Sequence, residues 1–186
     1  MNWRFVSLAL PLSLSLIAGG AMAAPSVKVG TLTVIKEGID AAVEGQLKGA
    51  SNLAKFQLEK GTDEDLAKLC ALFPNMKELQ IKSGAKITNL APLAALKSLT
   101  RLEVRDSSAT DMTPLSGLTG LTSVTVDSAM ADLAWMEKLT NLKYVSVSSK
   151  KLTSLKGLPK LPGLTKLEIE HGAPTDLTPI VEATPN

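Results

Sequence analysis

Residues 99–118 read LTRLEVRDSSATDMTPLSGL, and two features inside that stretch decide the fold. Leu99, Leu102 and Val104 follow the spacing L-x-x-L-x-L, and the alternation of the last two sends both side chains to one face of a strand. Thr110-Asp111-Met112-Thr113-Pro114-Leu115 then supplies polar acceptors and an early proline, the chemistry of a short helical turn that brings the chain back. The triplet recurs outward in both directions as Leu53-Phe56-Leu58, Met76-Leu79-Ile81, Leu121-Val124-Val126, Leu142-Val145-Val147 and Leu164-Leu167-Ile169, at intervals of 23, 23, 22, 21 and 22 residues. A unit this short cannot bury its apolar face alone, so the units must stack, pair their strands in parallel and pool their leucines in one continuous core. A weaker copy, Val29-Leu32-Val34, precedes Leu53 and brings the expected sheet to about seven strands. The polar, glycine-rich stretch between suits a deviant N-terminal cap.

The return segments are near-copies of one another: Thr88-Asn89-Leu90-Ala91-Pro92-Leu93, Thr110 to Leu115, and Thr175-Asp176-Leu177-Thr178-Pro179-Ile180, with Thr153-Ser154-Leu155-Lys156-Gly157-Leu158 as a variant. Together with the strands, Leu99 to Leu118 resembles the internalin-type leucine-rich repeat of bacterial proteins, a similarity that runs from about Leu53 to Ile180. The resemblance implies an α/β solenoid. It would be a right-handed arc with the parallel sheet on its concave side and 3-10 or short α turns on its convex side. It also implies a concave face that binds protein, and no catalytic activity.

Two departures from that pattern carry expectations of their own. The family places Asn a few residues after the strand, where its amide bonds to neighbouring repeats; counted from the strands, those positions hold Gly84, Ser107, Ala129, Lys150 and Gly172. Without that ladder, irregular turns and backbone groups left to water are expected. Between Leu58 and Met76, Thr62 to Phe73 reads as a true α-helix, with a Thr cap, acids at 63, 64 and 65, an apolar stripe Leu66, Leu69, Cys70, Phe73, and Pro74 as a stop.

Residues 1–23 carry the marks of a secretory signal: Arg4, an apolar run from Val6 to Ala18, and the small-residue cleavage site Ala21-Met22-Ala23. Pro11, Ser13, Ser15 and Gly19-Gly20 interrupt the run, which argues against a membrane span. The expected organisation is a signal peptide over 1–23, an N-terminal cap over 24–52 and the repeat domain over 53–186. The expected destination is the periplasm or the extracellular space, with no membrane insertion after cleavage. The chain has 20 Lys and Arg against 18 Asp and Glu, so no broad positive field favours nucleic acid. Cys70 is the one cysteine; no internal disulfide can form, and packing alone must hold the fold.

Chemistry needs a nucleophile with a base, paired carboxylates in a pocket, or metal ligands. Cys70 sits on the apolar stripe and reads as a small buried hydrophobe. His171, the single histidine, has Glu168 and Glu170 beside it, but one histidine is poor ligand arithmetic for a transition metal and reads as an exposed edge residue. No phosphate loop or nucleophile elbow follows a strand. The expectation is a binding protein with no catalytic residue, metal or cofactor.

If the triplets point inward, the alternate strand residues form three columns on the concave face: Lys55, Glu78, Arg101, Ser123, Tyr144, Lys166; then Gln57, Gln80, Glu103, Thr125, Ser146, Glu168; then Glu59, Lys82, Arg105, Asp127, Ser148, Glu170. Lys55 with Glu78, Glu78 with Arg101, Glu59 with Lys82 and Arg105 with Asp127 are the expected cross-strand pairs. Tyr and Arg dominate interface hot spots, so the expected partner-binding set is Tyr144, Arg101, Glu103, Arg105, Asp127, Lys166 and Glu168. Trp135 falls where other repeats carry proline and is expected to pack over a repeat joint. After Ile180 no capping unit is evident, so self-association through an open C-terminal edge strand is the alternative role.

Overall fold

The computed structural model describes residues 27–28, 32–50 and 53–184. The signal peptide expected over 1–23, Val29 of the weakest triplet, and residues 185 and 186 lie outside them.

Among the described residues, eight strands form one sheet in chain order: β1 (Val27–Lys28), β2 (Thr33–Ile35), β3 (Lys55–Leu58), β4 (Glu78–Ile81), β5 (Arg101–Val104), β6 (Ser123–Asp127), β7 (Tyr144–Ser148) and β8 (Lys166–Glu170). From β2 to β8 every neighbour is parallel, which gives the seven-stranded parallel sheet of a leucine-rich-repeat arc; β1 adds an antiparallel strand outside it. The register follows the triplets: Phe56, Leu79, Leu102, Val124 and Val145 stand side by side and are fully buried. Each rung therefore seals its neighbour's apolar face, and one core cluster runs the length of the arc.

The convex side is helical in three ways. α1 (Ala41–Lys48) is capped by Asp40, whose carboxylate accepts from the Val43 amide at 2.8 Å. α2 (Asp63–Leu72) has the expected Thr62 cap, strengthened by a reciprocal bond in which the Thr62 amide donates to the Asp65 carboxylate at 2.8 Å. Short 3-10 turns follow at Ala91–Ala95, Thr113–Gly117 and Ala134–Met136. These turns share a starter: Asn89, Asp111 and Asp132 each accept from the amide two residues on, at 2.9, 2.8 and 3.0 Å. Trp135 packs there as the sequence suggests, only 6% exposed.

Three expectations need correcting. In β2 the inward residues are Thr33 and Ile35, not Leu32 and Val34; pairing with Phe56 and Leu58 fixes the register, and a slip of one residue exchanges the two faces. Three of the five turns after the strands are not left to water. Serines replace the missing asparagines: the Ser107 hydroxyl donates to the Ile87 carbonyl at 2.9 Å, Ser128 to the carbonyls of Ser107 and Ala109, and Ser149 to the Met130 carbonyl at 2.7 Å. All three are buried, so carbonyls that would otherwise be orphaned inside the arc are met rung by rung. Only Ser107 stands where counting from the strand places it; in the next two rungs the serine comes one residue sooner after the strand, and the left-handed Asp106 (φ 53°) that precedes Ser107 has no equivalent there.

The C-terminal end, finally, is not bare. α3 (Thr178–Ala183) folds back so that the Ala183 carbonyl accepts from the Leu161 amide at 2.9 Å, and Ala183 is buried. It covers the end incompletely: Leu164, Leu167, Ile169 and Ile180 are only partly buried, and Leu177 and Val181 are 56% and 75% exposed.

Candidate functional site

Because successive strand side chains alternate across the sheet, the in-register pairing of β3 to β8 sets the three polar columns side by side on the concave face. Of the four expected cross-strand ion pairs, one forms among the described residues, Lys55 to Glu78 at 3.4 Å. The others give way to diagonal and same-strand contacts. Lys82 reaches Glu103 at 2.9 Å, and Arg105 meets the same carboxylate through Nε at 3.1 Å. The reason is reach: long side chains span the diagonal as easily as the direct neighbour, and one carboxylate between two cations is satisfied twice.

Glu103 is the hinge of this arrangement. Burial disfavours its charged form, but the Lys82 ammonium and Arg105 guanidinium outweigh that effect and hold its carboxyl below the usual range. It is an anion at neutral pH and fixes two cations in place.

A second group closes on itself nearer the C-terminal end. The Tyr144 hydroxyl donates to Glu168 at 2.6 Å, Lys166 pairs with the same carboxylate at 2.7 Å, and the Lys166 ammonium lies 5.6 Å from the Tyr144 ring centre. Hydrogen bonds from Lys166 and Tyr144 lower the Glu168 pKa, and the Glu168 contact raises those of Tyr144 and Lys166. Beneath the two groups, Thr125 and Ser146 are buried although they belong to the outward column.

Between β5, β6 and β7 lies a recess of about 530 Å³ lined by Arg101, Glu103, Arg105, Tyr144 and, at its rim and floor, Thr122, Ser123, Thr125 and Lys143. The structure thus brings four of the seven expected binding residues around one concavity. Lys166 and Glu168 stand behind Tyr144 as its support, and Asp127 lies at the far end of β6 beside Ser148. Lys82 and Lys143 escaped the sequence argument. The expected partner of Lys82 is Glu59, and Lys143 precedes β7, where strand parity assigns it to the buried face. The repeated segment Lys77, Thr100, Thr122, Lys143, Thr165 ahead of each strand is the signal that finds it.

The residues considered for chemistry stay apart. Cys70 is buried in α2, and burial pushes its thiol up to about 12, where almost none is nucleophilic thiolate at neutral pH. His171 is exposed at the end of β8 with its Nδ1 3.2 Å from the Ser148 hydroxyl. No cluster of metal-ligating side chains occurs among the described residues, nor is any described helix long and apolar enough to cross a membrane.

No protein-family model matches the chain, and none of the curated proteins does. Among solved structures, internalin C2 of Listeria monocytogenes aligns with a TM-score of 0.62 at 22% identity, over 81% of this chain and 76% of that one. An internalin, inlF, of the same organism aligns with a TM-score of 0.34 at 18% identity, over 79% and 69%, too loosely to support an argument. The first alignment shows a shared fold.

Proposed function

We propose that this leucine-rich-repeat arc is an exported, non-catalytic module that binds another protein through its concave face. The observation that carries the reading is the recess beside Tyr144, built on a sheet whose every strand is held by a neighbour. Such a surface is preorganised, so little ordering cost opposes binding, and its Tyr and Arg residues are of the types that anchor interfaces. The signal-like segment over residues 1–23 supports export, and the concave-face binding implied by the internalin-type repeat supports the choice of a protein partner. Fold alone does not name that partner.

The test is affinity capture from envelope and culture-medium extracts with the tagged chain as bait, beside a Tyr144→Ala, Arg101→Ala double variant. The double variant is expected to weaken binding of the captured partner by at least about 2 kcal/mol while leaving the melting curve unchanged, since both residues lie on the surface. Unchanged affinity assigns binding to another face and sinks the reading.

One observation favours a second reading. On β8, Leu167 and Ile169 are partly exposed, whereas the same rung positions on β3 to β7 are closed, and β8 is bordered by β7 alone among the described residues. A second copy seated on that edge would cover both the open backbone and the apolar recess around Ile169 and Ile180. Sedimentation that depends on concentration in the wild type and is monomeric in Ile169→Lys supports self-association; a monomer at all concentrations removes it.

A further inference from the structure

We propose that the recess between β5, β6 and β7 is a carboxylate-binding site, and that the segment it takes from a partner protein is acidic. This rests on the concave-face reading and sharpens it.

Four charged residues line the recess, the cations Arg101, Arg105 and Lys143 and the anion Glu103. The anion is already engaged, between Lys82 at 2.9 Å and Arg105 at 3.1 Å. Arg105 uses only Nε for that bond among the described residues, so its terminal nitrogens remain for a second, fork-like contact. Arg101 is exposed and makes no ion pair among the described residues. Its register neighbour Glu78 is turned instead to Lys55 at 3.4 Å and to the Gln80 amide at 3.0 Å. Asp127, which ends β6, makes no ion pair with Arg105 among the described residues.

Two guanidinium groups, one opening β5 and one just past its end, therefore flank a concavity, four residues apart and on the same side of the sheet. Planar forks of this kind match carboxylates in geometry as well as charge. One of them is held by Glu103, so less side-chain freedom is lost on binding. The positive excess is local: Glu168 and Glu170 follow on the same face, and they oppose an extended polyphosphate while leaving room for a short acidic peptide.

The probe is a fluorescein-labelled peptide of six glutamates, with a six-glutamine peptide as its neutral match, followed by anisotropy on the full chain. Saturable binding of the acidic peptide alone is expected, weakened about tenfold or more by Arg101→Gln with Arg105→Gln. Lys138→Gln with Lys160→Gln removes the same charge from exposed positions elsewhere and is expected to change little. Equal losses in the two double variants reduce the effect to bulk charge and overturn the proposal, as does equal binding of the glutamine peptide. A single-stranded oligothymidylate that binds more tightly, with the same dependence on Arg101, overturns it in favour of polyphosphate. Circular dichroism melts of every variant, and Arg101→Gln alone, separate misfolding from lost recognition. If the capture experiment finds a partner lost with the Tyr144 and Arg101 variant while the acidic peptide fails to bind, protein binding stands and the acidic partner falls. Peptide binding without any captured protein gives the reverse.

Discussion

Gly157→Ala is expected to destabilise the fold by roughly 3 kcal/mol or more, the sum of a strained backbone and a forced displacement. Gly157 has φ +93°, and a Cβ there would lie 2.3 Å from the Ala134 Cα, 2.5 Å from its nitrogen and 2.5 Å from the Leu133 carbonyl oxygen. These are backbone atoms of the preceding rung, tied to the same place by the Leu133 amide bond to the Lys156 carbonyl at 3.0 Å. Neither side can retreat without breaking the contact between rungs. Residues 153–158, a variant of the proline-bearing return segments, form a plain turn here where Ala91–Ala95 and Thr113–Gly117 make a 3-10 helix. The glycine is what lets that turn lie directly on its neighbour. Urea unfolding checks the result, with Gly163→Ala as control: its Cβ would meet only the Lys143 side chain at 3.8 Å, an ordinary contact. Similar losses at the two positions would contradict the steric account.

Asp65→Ala is expected to cost about 2 to 4 kcal/mol, combining a lost helix cap with an orphaned buried amide. One carboxylate oxygen accepts from the Ile39 amide at 2.7 Å; the other accepts from the Thr62 amide at 2.8 Å and the Thr62 hydroxyl at 3.0 Å. Asp65 therefore caps α2 and fastens the segment after β2 to it, across 26 residues of chain. The left-handed Gly38 (φ 102°) sits where a side chain would crowd that carboxylate. Asp65→Asn keeps an acceptor and is expected to fall between wild type and alanine. Limited proteolysis of the alanine variant should cut first between β2 and β3. A loss under about 1 kcal/mol in urea would refute the clasp.

Much of the arc was legible in the sequence because its energetics repeat. Leu102 and Val104 cannot be buried except against Leu79 and Ile81 on one side and Val124 and Val126 on the other, so periodicity alone dictates parallel neighbours. The helix at 62–73 was equally plain, since cap, acids and stripe agree. Where the reading failed, the deciding contact was with a neighbour rather than within the segment. β2 offers apolar residues on both faces, Val34 on one and Ile35 on the other, and only β3 chooses between them. α1 shows just Val43 and Leu47 as buried positions, too short a stripe to stand out. The serines hid behind a fixed count from the strand, broken where Ser128 and Ser149 come one residue sooner after their strands than Ser107 does. At the candidate site, residue types pointed to the right region, Arg101 to Arg105 with Tyr144. Which carboxylate each cation takes depends on side-chain reach, and that a sequence column does not encode.

The unequal ends of the sheet have a consequence for how the molecule comes apart. At one end β2 and the Asp65 clasp close over Phe56 and Leu58, which are wholly buried; at the other, β8 rests on β7 with its apolar residues half open. Each serine ties its own rung to the one before it, so a rung that loosens frees its predecessor only after those bonds are broken. Fraying therefore enters from β8 and travels toward β3 like a zipper with a single slider, and the arc has a weak end and a strong end built from the same repeated part.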